Sequence, residues 1–147
     1  MILNAYTDGS YTKNKPQTYG WAVVIYDNNQ KHLKSLSGKG SRFIESWQIG
    51  GECDAVLNLL SYINENLEQF NDLQLIMIHY DYLGIEKWAL GEWKAKKPVA
   101  KNYVKEFREL MLDLLNEDVE IQFNKVKGHS GVQGNERADQ LAKKANN

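Results

Sequence analysis

A chain of 147 residues and 16.9 kDa has room for one domain. Hydrophobic residues make up 42% and charged residues 25%, which excludes the compositions of disordered and low-complexity chains. Eighteen Lys and Arg against nineteen Asp and Glu leave a formal charge of −1, so no nucleic-acid partner follows from net charge and any such site has to come from local clustering.

The chain opens in β-strand patterns. Residues 2–10 run from an apolar stretch into a Gly/Ser turn, and residues 18–26 are aromatic and β-branched. Asp27-Asn28-Asn29-Gln30 predicts a hairpin turn, and the polar alternation of 31–37 suits an edge strand. The period then changes. Val56, Leu59, Leu60, Ile63 and Leu67 lie at helical spacing, which predicts an amphipathic helix over roughly 50–68. Residues 73–80 are apolar on both faces, the pattern of a central strand covered on both sides. A strand, a long helix and a buried strand in succession call for a crossover and parallel pairing.

Residues 82–98 hold two tryptophans, a lysine cluster and at most one short helix. Val104, Phe107, Met111, Leu114 and Leu115 mark a second long helix at about 99–116, and Val119, Ile121 and Phe123 alternate as a half-buried strand. A Gly-rich loop over 127–134 precedes a last helix with Ala138, Leu141, Ala142 and Ala145 on its inner face. The order is βββαβ(α)αβα, an α/β fold with a mixed sheet flanked by helices. No repeat or linker interrupts it, and residues 1–147 are expected to form a single domain.

The carboxylates stand out against this pattern. Asp8 ends the first strand, and Asp81 follows the strand at 73–80. If those strands are parallel neighbours, both acids emerge at the carboxyl edge of the sheet, where open α/β sheets place ligands. Glu52 sits four residues before Val56 on the inward stripe of its helix, and Asp139 borders the inner stripe of the last helix. Each alone has a commonplace explanation as a turn, cap or solvated residue. Together they repel one another, and a hard divalent cation resolves that conflict.

Tyr6-Thr7-Asp8-Gly9-Ser10, Gly50-Gly51-Glu52, Tyr80-Asp81-Tyr82 and Gly128-His129-Ser130-Gly131 leading to Asn135-Glu136-Arg137-Ala138-Asp139 resemble the type 1 ribonuclease H family, in order and over nearly the whole chain. The resemblance implies the ribonuclease H-like fold and hydrolysis of the RNA strand of RNA–DNA hybrids, tolerant of sequence, leaving a 5′-phosphate. It implies that Asp8, Glu52, Asp81 and Asp139 bind two Mg²⁺ ions about 4 Å apart, with Mn²⁺ as an alternative and Asp8 bridging them. His129 would serve as a mobile proton shuttle, and Glu136 as an acid aiding metal exchange. His79 is expected to be a packing residue.

Substrate grip is expected from Lys94, Lys96, Lys97 and Lys101, with Lys105 and Arg108, beside Trp88 and Trp93; this resembles the basic protrusion with which some members hold DNA phosphates. Gly9, Ser10 and Gln48 match positions where relatives sense the hybrid's minor groove, whereas Ile49 stands where several relatives have Asn or Gln and cannot hydrogen-bond. Two other readings stand beside this one: a non-catalytic hybrid- or duplex-RNA-binding module, and a metal nuclease of the same fold acting on another nucleic acid. Four retained acids argue against the first. The His129 loop and the basic region argue against the second.

Other motifs fail. Val132 breaks a G-x-S-x-G nucleophile elbow at 128–132, and residues 38–41 are too short for a P-loop. His32, His79 and His129 are too dispersed for a zinc pattern. The single cysteine, Cys53, excludes an internal disulfide and reads as a packing residue suited to a reducing cytosol. No apolar run approaches the ~18 residues of a membrane span. A stand-alone cytoplasmic monomer, not associated with membrane, is expected.

Overall fold

The computed structural model describes residues 1–126 and 132–147. Alternation along residues 2–7 makes the strand β1 (Ile2–Ser10), with Leu3, Ala5 and Thr7 buried on one face and Asn4 and Tyr6 turned to the other. The strands β2 (Tyr19–Tyr26) and β3 (His32–Gly40) continue it as an antiparallel meander. The predicted turn forms: the Asp27 carboxylate accepts hydrogen bonds from the backbone N–H groups of Asn29 and Lys31 at 2.8 and 2.9 Å. β3 runs three residues beyond its expected end, because pairing with β2 continues to Tyr19 opposite Gly40.

The strand β4 (Leu75–Tyr80) lies parallel to β1, and β5 (Glu120–Lys125) parallel to β4, giving the order β3-β2-β1-β4-β5. This is the predicted five-stranded mixed sheet. One expectation is corrected: β1 is the middle strand, and β4 is sealed on one face only. Ile76, Ile78 and Tyr80 are buried, whereas Leu75, Met77 and His79 are half-buried. The reason is the reach of the last helix, which lies over β1, β2 and β3 and leaves that face of β4 largely uncovered.

Four helices flank the sheet: α1 (Trp47–Glu65), α2 (Gly84–Ala89), α3 (Pro98–Asn116) and α4 (Gln133–Ala145). α1 begins and ends three residues earlier than its apolar stripe suggested, and residues 67–69 form a separate 3₁₀ turn. Leu59, Leu60 and Ile63 of α1, with Tyr103 and Phe107 of α3, close the main core over Ile76 and Ile78. Each buried Leu or Ile contributes about 1.5–3 kcal/mol. Pro98 occupies the first turn of α3, where its missing N–H costs nothing. On the opposite face α4 presents Ala138 and Leu141 to Val24, Tyr26 and Tyr6, a smaller cluster.

Candidate active site

Parallel pairing decides where the acids emerge. Tyr6 lies opposite His79, so Asp8 and Asp81, each two residues further along, leave adjacent strands at the same end and on the same face. Asp8 is only 7% exposed, and its Oδ1 accepts the Gly9 backbone N–H at 2.9 Å. Glu52 arrives from the other layer. A Cβ on Gly9 would stand 2.5 Å from the Glu52 backbone nitrogen and 2.7 Å from the Gln48 carbonyl oxygen. Only glycine lets the helix backbone approach the strand this closely. That contact brings Glu52, 4% exposed, to the edge beside Asp8. Asp139, on α4, completes the set from the face below, within hydrogen-bonding reach of Asp8.

These charges are held at a cost. Burial pushes the Asp8 carboxyl up to about 7, against the pull of the Gly9 N–H, and the charges of Asp139 and Asp81 add to the rise. Glu52 is pushed well above the usual carboxylate range by burial first, then by Asp8 and Asp81; a hydrogen bond from the Tyr82 backbone and the charge of Lys125 oppose this. Asp139 also pairs with Lys143, one turn further along α4, at 2.9 Å. Among the described residues no three His, Cys, Asp or Glu side chains are gathered closely enough to hold a metal ion as they stand. In kind, however, the donor set fits a hard cation: every donor is a carboxylate oxygen, and added positive charge relieves both burial and mutual repulsion.

Tyr6 stacks on His79, with 4.4 Å between ring centroids, and the imidazole nitrogens of His79 are each 2.9 Å from Asn4 and Asn124. This is the packing residue expected. Cys53 is likewise buried in the core. Glu136 is exposed in the first turn of α4, while His129 and its neighbours lie outside the described residues.

A model of the RNase H family matches residues 2–147. The chain belongs to the RNase H family. It is 36% identical over 152 residues to a ribonuclease H of Francisella philomiragia, covering 96% of this chain and 88% of that one. To a ribonuclease H of Nitratidesulfovibrio vulgaris it is 32% identical over 145 residues, covering 96% and 86%. Its fold is that of RNase H1 from the halophilic archaeon Halobacterium salinarum, with a TM-score of 0.77 at 21% identity over 99% of this chain and 97% of that one. It also matches LC11-RNase H1, solved in complex with an RNA/DNA hybrid, with a TM-score of 0.74 at 21% identity over 97% and 95%.

Beside the acids of this RNase H family member lies the basic, aromatic flank. Trp88 and Trp93 sit 6.1 Å apart, and Tyr82 packs 5.7 and 6.4 Å from them. Lys94, Lys96, Lys97 and Lys101 are all exposed. Lys97 is the N-cap of α3, whose first turn carries no acid, so cations crowd the positive end of a helix dipole. Between residues 94 and 108 the one acid, Glu106, is engaged by Arg42. A cavity of about 690 Å³ separates residues 42–49 from this lysine segment. A second, of about 410 Å³, is lined by Gln48, Ile49, Glu52, Asp81 and Lys125. Gln48 is thus placed beside the acids, as are the buried Gly9 and Ser10 of β1.

Lys125, Trp47, Tyr11 and the backbone N–H of Tyr82 are given no role by the sequence. Lys125 had a signal: the alternation through Val119, Ile121 and Phe123 points to it, and parallel pairing sets it opposite Tyr80 at the acid edge. The Tyr82 N–H had none, since a backbone group has no sequence signature.

Proposed function

We propose that this chain is a ribonuclease H that hydrolyses the RNA strand of RNA–DNA hybrids, with Asp8, Glu52, Asp81 and Asp139 holding two divalent cations, Mg²⁺ in the cell. The observation that carries this reading is the pair of buried carboxylates, Asp8 and Glu52, kept together with Asp81 at one sheet edge although burial and repulsion push both toward neutrality. Such an arrangement is costly unless positive charge arrives. Asp8, Glu52, Asp81 and Asp139 would hold such cations, which would supply Lewis-acid activation of a water and neutralisation of phosphodiester charge.

The protein's own groups prepare for that. The Gly9 N–H fixes one oxygen of Asp8, and the Tyr82 N–H with Lys125 favours the ionised form of Glu52. Lys94, Lys96, Lys97 and Lys101 attract the DNA strand's phosphates, Trp88 and Trp93 pack beside them, and Gly9, Ser10 and Gln48 face the minor groove. His129 moves a proton during turnover, and Glu136 assists exchange of ions. Residues 1–147 act as one catalytic domain, monomeric and cytoplasmic. The lone buried Cys53 suits a reducing compartment, and among the described residues no helix is long and apolar enough to cross a membrane.

The test uses end-labelled RNA–DNA hybrid, duplex RNA and duplex DNA, each with Mg²⁺ or with chelator. Cleavage of the hybrid's RNA strand alone, to 5′-phosphate products and only with Mg²⁺, is expected. Cleavage of duplex DNA at a comparable rate would favour a same-fold nuclease with another substrate, and tight hybrid binding without cleavage would favour a non-catalytic module.

A further inference from the structure

An aromatic pair that the catalytic reading does not use stands between the acid edge and the lysines. Trp47 is the first residue of α1 and is 61% exposed. Its backbone sits at φ 53°, ψ −122°, the first central position of a type II′ turn, which suits glycine and strains any residue with a Cβ. Burial does not offset that strain, because the indole faces outward. Tyr11 lies roughly parallel to it, with 6.1 Å between ring centroids and 27° between planes. Tyr11 follows Asp8 by three residues and Trp47 precedes Glu52 by five, so the two chain segments that carry the buried acids also carry the two rings.

Charge complementarity indicates what these rings meet. Trp47 shares its cavity with Arg42, Lys94, Lys96 and Lys97, a lining suited to a phosphate backbone. Ile49 lines both this cavity and the one beside Glu52 and Asp81, extending the apolar surface toward the acids. With Gly9, Ser10 and Gln48 facing the minor groove, as proposed above, that groove lies against the surface between the acids and the lysines. Paired bases keep their faces stacked inside the duplex, so the sugars are the apolar surface a ring can cover. Deoxyribose presents a bare C2′ methylene there. Ribose carries a hydroxyl that an indole face would strip of water without returning a full hydrogen bond.

We infer that Tyr11 and Trp47 form a platform that packs on deoxyribose of the uncleaved strand across the minor groove, a specificity contact resting on the hybrid-cleaving function proposed above. The platform adds affinity without releasing counterions, which distinguishes it from the lysines.

Fluorescence anisotropy with labelled hybrid, without divalent cation so that nothing is cut, reads the contact directly. Trp47→Ala is expected to weaken hybrid binding about tenfold, with an unchanged slope of log affinity against log salt, and Trp47→Phe to stay within about twofold of wild type. Binding of an all-RNA duplex of the same sequence stays as it was. In Mg²⁺, KM rises with kcat held within about twofold. Trp47→Gly separates recognition from structure: it loses the same affinity while its thermal midpoint rises, because glycine relieves the backbone. Unchanged hybrid affinity in Trp47→Ala overturns the platform, and so does an equal loss on all-RNA duplex or a falling midpoint in Trp47→Gly. A wild-type chain that leaves hybrid intact refutes the enzymatic function itself. Wild-type cleavage with unaltered Trp47→Ala binding refutes the platform alone.

Discussion

The acid edge is buried, and the lysine flank beside it is exposed. Asp8 and Glu52 are sunk between a strand and a helix that touch backbone to backbone, where each carboxylate pays for desolvation and for its neighbour's charge. Lys94, Lys96 and Lys97 stand in solvent, and their mutual repulsion is screened. The difference teaches where position matters. A buried acid cluster works at one geometry only, so its supports are steric necessities such as Gly9. A flexible cation gathers phosphate from many geometries, so its neighbourhood tolerates change.

The comparison breaks hardest at Asp8. Asp8→Asn keeps the shape and removes the charge. It should lower hybrid cleavage by at least ~1,000-fold, about 4 kcal/mol of transition-state stabilisation, in a single-turnover assay, while hybrid binding stays largely intact. The same variant should be more stable without metal. The Asp8 carboxyl titrates near 7 in the fold against 3.8 for an ordinary aspartate. A raised carboxyl adds stability that is full below the unfolded value and is lost as pH climbs through the folded one. Metal-free wild type should therefore lose stability between about pH 4 and pH 7, by up to roughly 4 kcal/mol. Asp8→Asn should escape that loss, melting roughly 5 °C or more above wild type at pH 8 and level with it near pH 4. Added Mg²⁺ should close the gap by stabilising wild type alone. Equal melting of the two metal-free proteins at pH 8 would show that Asp8 bears no such burden.

Next in size is the support beneath the acids. Gly9→Ala drives a methyl into the backbone of Gln48, Gly51 and Glu52, atoms that cannot rotate away. A loss of about 3 kcal/mol, roughly 10 °C in thermal midpoint, is expected, together with impaired cleavage as α1 and Glu52 withdraw. A midpoint within a degree of wild type would mean that the helix yields freely.

At the exposed flank the effects are smaller and opposite in sign between stability and binding. Replacing Lys96 and Lys97 together by Ala should weaken hybrid binding about tenfold and reduce the salt slope by about 1 to 2. Because both cations sit at the start of α3, on the unfavourable side of its dipole, the double variant should lose no stability and gain up to about 1 kcal/mol. Unchanged affinity and slope would make these lysines an ordinary solvated face.

Sequence legibility divides along the same line. Asp8 and Asp81 were readable because strand period and parallel pairing together dictate which end and which face a residue leaves from. The stripe of Val56, Leu59, Leu60 and Ile63 located α1 but not its ends, which depend on Trp47 at positive φ and on Asn66, whose side chain bonds the Tyr62 carbonyl. The half-open face of β4 was not legible, because it depends on how far α4 reaches across the sheet. The Tyr11–Trp47 pairing joins segments 36 residues apart in sequence, and neither carries a periodic signal.

The smallest effect probes the join between the two kinds of charge. Lys143 reaches back one turn to Asp139, 2.9 Å away, the one salt bridge that the four acids make among the described residues. The pair lies near the surface, so its strength is modest, but on the function proposed here Lys143 would compete with a divalent ion for the Asp139 carboxylate. Lys143→Met removes the competitor and keeps the length of the side chain. The Mg²⁺ concentration for half-maximal cleavage should fall about two- to threefold, with the rate at saturating Mg²⁺ unchanged. If half-saturation rises instead, Lys143 assists the site by holding Asp139 in place, and the pair would then belong with Gly9 among the supports of the buried edge.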